Sequence, residues 1–177
     1  MTDIAYFGFG SNKDLEMMQH MIGRMDIRGI PSRLIGYDLC IQLGRQFRTT
    51  IPPNSPAPIS PRDLICRSWS EDFQMYVSRP NPTGVIHGMI WFVTPAELRL
   101  IRNWELVDFG AQDDAYGIAI GDDGELYEII TQSFIRPDPY EIERVITDKE
   151  YEPYIHDKQT MLEKADALRE EFLNESK

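Results

Sequence analysis

The chain has 177 residues, of which 42% are hydrophobic and 27% charged, and its 18 lysine plus arginine against 29 aspartate plus glutamate give a net charge of −11. This is the composition of one globular domain, its charge disfavours a nucleic-acid partner, and no apolar run approaches the roughly 20 residues that a membrane helix needs. The two cysteines, Cys40 and Cys66, match no CxxC or zinc spacing, so the sequence predicts reduced thiols in a cytoplasmic protein.

The first half of the chain predicts two strands, one helix and a long irregular segment. Ile4 to Phe9 is short, apolar and aromatic, as expected for a strand, and Arg33 to Leu43 indicates a second strand. Between them, Lys13 to Met25 has the apolar spacing of a helix. Residues 50–83 hold seven of the twelve prolines, so we predict a Pro-rich loop insertion that packs partly over the domain and supplies no long helix or central strand. The predicted helical stripe consists of Leu15, Met18, Ile22 and Met25.

Three more strands are predicted in the second half. Gly84 to Val93 is a continuous apolar run, typical of a strand buried on both faces. Tyr116 to Ile120 and Glu125 to Phe134 have strand-like composition, and the run Gly121 to Gly124 between them is turn-forming. These two segments therefore predict a hairpin.

The remaining helices are predicted from their start signals and their periodicity. The run Thr94 to Glu97 has a capping threonine, a proline at the first helical position and a glutamate that completes a capping box. Asp138 to Ile146 repeats this logic for a short helix, and Lys158 to Asn174 is an amphipathic helix within the C-terminal segment 157–177. Too few βαβ units are present for a doubly wound sheet, so we predict an α+β fold in a single domain over residues 1–177.

The sharpest local signal is the turn after the first strand, in the segment Tyr6 to Asn12 (YFGFGSN). Backbone N–H groups in such a turn, backed by a helix N-terminus, form a pocket for an anionic oxygen. Lys13 stands where a dinucleotide fingerprint needs its third glycine, and no GKS or GKT sequence completes a phosphate-binding loop. A tight turn in which Ser11 and Asn12 only cap the helix is the alternative at this point.

The second signal is Glu105. On a helical wheel of about 100° per residue, it falls on the same apolar stripe as Leu98 and Ile101. Burial penalises the charged form of a carboxylate, so we expect its pKa to rise above the usual value of about 4.3 and to suit proton transfer near neutral pH. The alternative is that Glu105 ends its helix and turns back into water, or pairs with an arginine.

Other reactive side chains form no recognisable site. The three histidines, His20, His87 and His156, lack metal-ligand spacing, and the paired aspartates match no calcium loop. Ser11 has neither the context of a nucleophilic serine nor an obvious histidine partner. We therefore predict no metal site.

The two signals occur together in one family. YFGFGSN resembles the YFAYGSN opening of γ-glutamylcyclotransferase-like proteins, which include the AIG2-like and γ-glutamylamine cyclotransferase branches. RLIGYDLCI resembles their second strand, and GVIHGMIWFVTPAELRLIRNWE resembles their V-x-G-x-x-W strand, helix and glutamate, which places Glu105 at the catalytic acid/base position. The similarity runs from Ile4 to about Tyr154. Phe9 stands where the family has tyrosine, and the segment Leu106 to Asp114 is longer than usual.

This resemblance implies a mixed β-sheet or barrel with flanking helices and an enzyme that needs no metal or organic cofactor. The implied reaction is the attack of a γ-glutamyl α-amine on its own γ-carbonyl, which releases 5-oxoproline and a free amine, as in glutathione metabolism. A small γ-glutamyl compound is the implied substrate, and a homodimer is left open. The implied substrate-binding residues are Tyr6, Phe9, Gly10, Ser11, Asn12, Tyr116, Tyr127 and Tyr154, the last belonging to a Pro-Tyr element that helps to close the pocket.

Two rival interpretations stay open at this stage. One is the same chemistry on a γ-glutamylamine or on a γ-glutamyl-protected biosynthetic intermediate, with one or two first-half arginines recognising a carboxylate or phosphate on the leaving group. The other is a non-catalytic binding module, which a cavity reaching both Glu105 and Gly10–Asn12 would argue against. The arginines in question are Arg24, Arg28, Arg33, Arg45, Arg48, Arg62, Arg67 and Arg79.

Overall fold

The protein is a mixed five-stranded β-barrel with four helices, seen in a computed structural model that describes residues 3–133 and 141–175. The strands follow the order β3-β1-β5-β4-β2, and β2 pairs back onto β3 to close the barrel. Only the β1–β5 pair is parallel. The predicted α+β barrel with flanking helices is confirmed. The strands are β1 Ile4–Gly8, β2 Gly29–Leu43, β3 Gln74–Val93, β4 Asp113–Gly121 and β5 Leu126–Ser133.

Four α-helices accompany the barrel, and none of those that the structure describes is long and apolar enough to cross a membrane. Successive side chains of a strand point to opposite faces, so β1 serves two cores. Phe7 packs with Leu34 among the strands, whereas Tyr6 packs with Met18 and Ile101 of the helices. The helices are α1 Leu15–Ile22, α2 Pro61–Ser68, α3 Pro95–Trp104 and α4 Lys158–Glu175.

Helix α1 is shorter at both ends than the predicted range of residues 13–25. It begins at Leu15 because the Asp14 carboxylate caps it by accepting from Met17 N at 3.3 Å. It ends at Gly23, whose φ of 73° is the left-handed conformation that terminates helices. Leu15 and Met25 of the predicted stripe are therefore exposed, and only its two central members are buried.

The Pro-rich segment is not the loop that the sequence predicts. Residues 61–68 form α2, which begins with Pro61 at its first position and with the Ser60 side chain as its cap. Residues 74–83 form the first half of β3, which runs through two prolines. These prolines lie where the pairing between β3 and β2 shifts register, opposite the β2 residues Ile35 to Tyr37. Few hydrogen bonds between the strands are therefore lost at the prolines.

The bounds of the other predicted strands and helices hold to within a few residues, with the exception of one short helix. The predicted burial of Gly84–Val93 on both faces is wrong, because Val85 is 44% exposed and His87 is exposed. The capping box of α3 is present: Glu97 N donates to Thr94 Oγ1 at 3.2 Å, and Thr94 N donates to Glu97 Oε2 at 2.7 Å. Strand β2 begins four residues before the predicted start. The predicted short helix 138–146 is wrong in its described part, because Arg144–Val145 form a sixth strand, β6, paired with β2; residues 138–140 lie outside the described residues.

Candidate active site

A cavity of about 410 Å³ brings the two sequence signals together. Its walls come from the turn after β1, the C-terminal end of α3, the start of β3, and α2 and α4. Glu105 and the residues Gly10, Ser11 and Asn12 all line it. The volume lies within the range of roughly 300–1,000 Å³ that is typical of small-molecule sites.

The turn requires glycine at two positions. A Cβ atom on Gly8 would collide with the backbone carbonyl of Asn12, and one on Gly10 would lie 2.8 Å from Tyr76 Cδ2. Gly10 also has a φ of 60°, which residues with a side chain rarely adopt. These two glycines let residues 10–13 coil into a single 3₁₀ turn packed directly against β3.

Gly10→Ala is expected to lower the free energy of unfolding by about 2–4 kcal/mol, the sum of a left-handed alanine and a clash with the Tyr76 ring. Gly124→Ala is the matched control, since Gly124 also has a positive φ, 85°, but no atom lies within 4 Å of its added Cβ. The control should cost only about 1–2 kcal/mol. Urea denaturation measures the free energy of unfolding of both variants. An equal decrease in the two would show that the Tyr76 ring moves away from the added Cβ atom without an energetic cost.

Asn12 is the hydrogen-bonding centre of the site. Its backbone carbonyl accepts from the Trp91 indole nitrogen at 2.7 Å, which fixes the turn against β3. Its side-chain nitrogen donates to the Tyr6 hydroxyl at 2.8 Å and to Glu105 Oε1 at 2.6 Å. The Tyr6 hydroxyl donates onward to Gln132 Oε1 at 3.0 Å. Asn12 therefore does not cap the helix, since Asp14 does, and instead connects the turn to the carboxylate.

Glu105 lies at the end of α3 and stays inside the protein. It is the C-cap residue of the helix, so the expectation that it ends its helix is correct. Its carboxylate turns inward, however, and pairs with no arginine among the residues that the structure describes. Burial raises its pKa to about 7, against the opposing effect of hydrogen bonds from Asn12 and Gln112. A carboxyl group with this pKa exchanges a proton readily at neutral pH.

The segment after α3 supplies the second partner of Glu105. Leu106 adopts a left-handed φ of 53°, which ends the helix and turns the chain back. The fully buried Gln112 then donates through Nε2 to Glu105 Oε2 at 2.7 Å. The same segment also places Phe109 in the cavity wall.

The raised pKa of Glu105 predicts a pH-dependent stability. The folded protein holds this proton up to about pH 7, whereas the unfolded chain releases it near 4.3. Because the folded state binds more protons in this window, the contribution of Glu105 to stability is lost as the pH rises through it. We expect Glu105→Gln to gain about 1–3 kcal/mol relative to wild type between pH 4.5 and 8 in urea denaturation. A difference that is constant with pH would contradict the raised pKa.

The predicted substrate-binding residues divide into two groups. Tyr6, Phe9 and Tyr154 line the cavity together with the turn, and the Tyr154 hydroxyl donates to Asp14 Oδ2 at 2.7 Å. Tyr116 and Tyr127 do not line it. The side chain of Tyr116 is 77% exposed, and the Tyr127 hydroxyl donates to Asp123 at 2.6 Å in the β4–β5 hairpin. The prediction that Tyr116 and Tyr127 form walls of this cavity is therefore wrong.

Two of the three backbone donors expected in the turn already have partners. Gly10 N donates to the Tyr151 hydroxyl at 2.6 Å, and Asn12 N donates to Phe9 O at 3.1 Å. The Ser11 amide is the remaining one of the three. A further polar group at the cavity wall is Gln132, whose buried Nε2 has no partner among the residues that the structure describes.

The sequence signals missed several residues of the site. Gln112 and Gln132 belong to no sequence motif. Tyr151 contacts Gly10, which lies 141 positions earlier in the chain, and packs edge-on against Tyr76 with 5.4 Å between the ring centroids. The far part of the cavity was also missed, because it depends on where α2 and α4 pack. Its apolar and aromatic lining residues include Leu64, Ile65, Trp69, Phe73, Met75, Ile155, Met161, Leu168 and Phe172.

The fold is shared with solved structures at low sequence identity. A protein described as γ-glutamyl cyclotransferase matches with a TM-score of 0.60 and 13% identity, over 95% of this chain and 99% of the other. An uncharacterized human protein matches with a TM-score of 0.61 and 12% identity, over 93% of this chain and 99% of the other. A mouse AIG2-like protein gives a TM-score of 0.43 at 11% identity, over 89% and 100% of the two chains. No protein-family model and no curated protein matches the sequence.

Proposed function

We propose that the protein is a γ-glutamylcyclotransferase-type enzyme that converts a small γ-glutamyl substrate into 5-oxoproline and a free amine. The observation that carries this proposal is the cavity lined by both Glu105 and the turn Gly10–Asn12. The fold, shared with a γ-glutamyl cyclotransferase over nearly the whole chain, is consistent with it. The match between the opening motif of the sequence and that family supports it independently.

Glu105 would be the general base and then the general acid. The substrate's α-ammonium must lose a proton before its nitrogen can attack, and a carboxylate with a pKa of about 7 can accept that proton. The nitrogen then forms a bond to the γ-carbon, the bond from that carbon to the leaving nitrogen breaks, and Glu105 gives its proton to the departing amine. The second proton that the attacking nitrogen loses on becoming the lactam nitrogen leaves with the amine, as its ammonium form, so the carboxylate of Glu105 is regenerated. Asn12 and Gln112 hold one carboxylate oxygen each, which fixes the group for both transfers.

The attack creates negative charge on the γ-carbonyl oxygen, and the substrate's α-carboxylate also needs a partner. Among the described residues, the Ser11 amide and the Gln132 Nε2, which has no partner there, are donors beside the cavity that suit these oxygens. A buried donor without a partner costs stability, so a bound substrate oxygen would relieve that cost at Gln132.

A non-catalytic binding module is the less favoured function. It would have a closed core around Glu105, whereas the carboxylate borders a cavity of substrate size. A buried carboxylate that did no chemistry would also lower stability without any return. We place the enzyme in the cytoplasm on the evidence of its unpaired cysteines, one of them buried in the core.

The test is to incubate the purified protein with γ-glutamyl amino acids, γ-glutamylamines and γ-glutamyl amides and to measure 5-oxoproline. We expect stoichiometric 5-oxoproline and free amine from at least one class. Hydrolysis to glutamate would indicate attack by water instead of the α-amine. The absence of both products across the panel would overturn the proposal.

A further inference from the structure

The part of the cavity beyond Glu105 is built from aromatic and aliphatic side chains. The Phe73 ring lies between two others, with centroids 4.2 Å from Trp69 and 4.3 Å from His156. Leu168 and Phe172 of α4 line the same cavity. If the γ-glutamyl group occupies the polar end beside Glu105, these residues form the wall of the space for the leaving group. We call this set of five residues the aromatic subsite.

The charges around the aromatic subsite are unfavourable for an anion. Among residues 3–133 and 141–175, no lysine or arginine lines the cavity, whereas the exposed carboxylates of Glu171 and Glu175 do. The Lys164 ammonium group lies 4.1 Å from the centre of the Trp69 ring and donates to the backbone carbonyl of Ser68. Lys164 itself does not line the cavity.

None of the eight first-half arginines lines the cavity. Arg24 pairs with Glu97 at 3.0 Å, and Arg79 pairs with Asp38 at 3.0 Å. No described arginine therefore supports the earlier expectation that an arginine recognises a carboxylate or phosphate on the leaving group. A carboxylate in this part of the cavity would lose its hydration and gain no cationic partner.

We propose that the leaving group of the substrate is an apolar amine, aromatic or aliphatic, that carries no carboxylate. This inference rests on the proposed function and narrows it. In the reaction, the α-nitrogen bonds to the γ-carbon and the amide bond to the apolar amine breaks. The two protons lost by the α-ammonium, one of them carried by Glu105, leave with that amine as its ammonium form. The products are 5-oxoproline and the free amine, so no water or other reactant is consumed.

The decisive comparison uses two substrates that differ in one group. γ-Glutamyl-phenethylamine and γ-glutamyl-phenylalanine have the same aromatic ring, but only the second has a carboxylate on the leaving group. We expect kcat/KM to be about tenfold or more higher for γ-glutamyl-phenethylamine than for γ-glutamyl-phenylalanine. The carboxylate of the phenylalanine compound would lie beside Glu171 and Glu175 without a cationic partner. Glu171→Lys, at an exposed position, should narrow this ratio severalfold by supplying a cation.

A second variant tests the ring contacts. Trp69→Ala should raise KM for γ-glutamyl-phenethylamine severalfold more than KM for γ-glutamyl-methylamine, because the methyl group is too small to reach the aromatic subsite. Thermal denaturation checks that the variant is folded. Equal loss on both substrates would argue against a role of Trp69 in the subsite.

The outcomes separate this inference from the proposed function. Glu105-dependent formation of 5-oxoproline with equal or better turnover of γ-glutamyl-phenylalanine would overturn the apolar amine and leave the cyclotransferase in place. No 5-oxoproline from either compound or from the wider panel would overturn the proposed function and this inference with it.

Discussion

Glu105→Gln is expected to lower kcat/KM for 5-oxoproline formation by about 10²–10⁴, the usual contribution of a positioned acid/base group. Glutamine keeps the size of the side chain but cannot accept the ammonium proton. The fold should tolerate it, because the buried Gln112 Oε1 has no partner among the described residues and a rotated amide can present it to the new nitrogen. The measurement is steady-state kinetics on the best substrate of the γ-glutamyl panel, with circular dichroism to verify folding.

Glu128→Gln is the matched control for this variant. It removes the same charge from an exposed position on β5 that does not line the cavity, and activity should stay within about twofold of wild type because surface substitutions of this kind have small effects. If the folded Glu105→Gln protein retained wild-type turnover, Glu105 would have no role in proton transfer. Equal losses in both variants would point to a general effect of net charge.

The position of Glu105 was predictable from the sequence, but its environment was not. The helical wheel places residue 105 on the buried stripe even though the helix ends one residue earlier, because its backbone still continues the helical turn. Its hydrogen-bond partner Gln112 could not be predicted, since it depends on the left-handed Leu106 and on a return of the chain that no motif announces.

The first half of β3 was not predicted because of its prolines, and the reason is physical. Proline removes a ladder donor wherever it sits, but whether a donor is needed depends on the register with the partner strand. Pro80 lies opposite Tyr37, just beyond the shift in pairing between β2 and β3. A register of this kind is set by tertiary pairing, which local composition does not reveal.

The two misplaced tyrosines show the limit of transferring positions along a strand. Side chains alternate between the two faces of a sheet, so an error of one residue in the alignment moves a side chain from the cavity face to the solvent face. Tyr116 and Ile118 of β4 are both exposed, so Tyr116 lies on the outer face of the barrel. The turn is marked in the sequence by Gly8 and Gly10, where a Cβ atom would meet the Asn12 backbone and the Tyr76 ring, respectively.

Asn12→Leu is expected to move the acid limb of the kcat/KM profile from about pH 7 to a higher pH, by about one to two units. Leucine has a similar size but removes the hydrogen bond to Glu105 Oε1, which favours the ionised carboxylate. Losing a hydrogen bond to a charged group costs about 1.5–3 kcal/mol, which corresponds to this shift. At pH 7 the ionised fraction of Glu105, and kcat/KM with it, should fall roughly 5- to 50-fold.

Ser11→Ala separates this effect from damage to the turn. Ser11 is adjacent, and its side chain contacts Asn12 at 3.4 Å but does not reach Glu105, so its acid limb should stay near pH 7 whatever happens to the maximal rate. The profiles of both variants are measured between pH 5 and 9 on one substrate. An unshifted limb in Asn12→Leu would show that the Asn12 contact does not stabilise the ionised carboxylate. A limb shifted equally in both variants would assign the effect to the turn as a whole, because only the leucine variant removes a donor to Glu105.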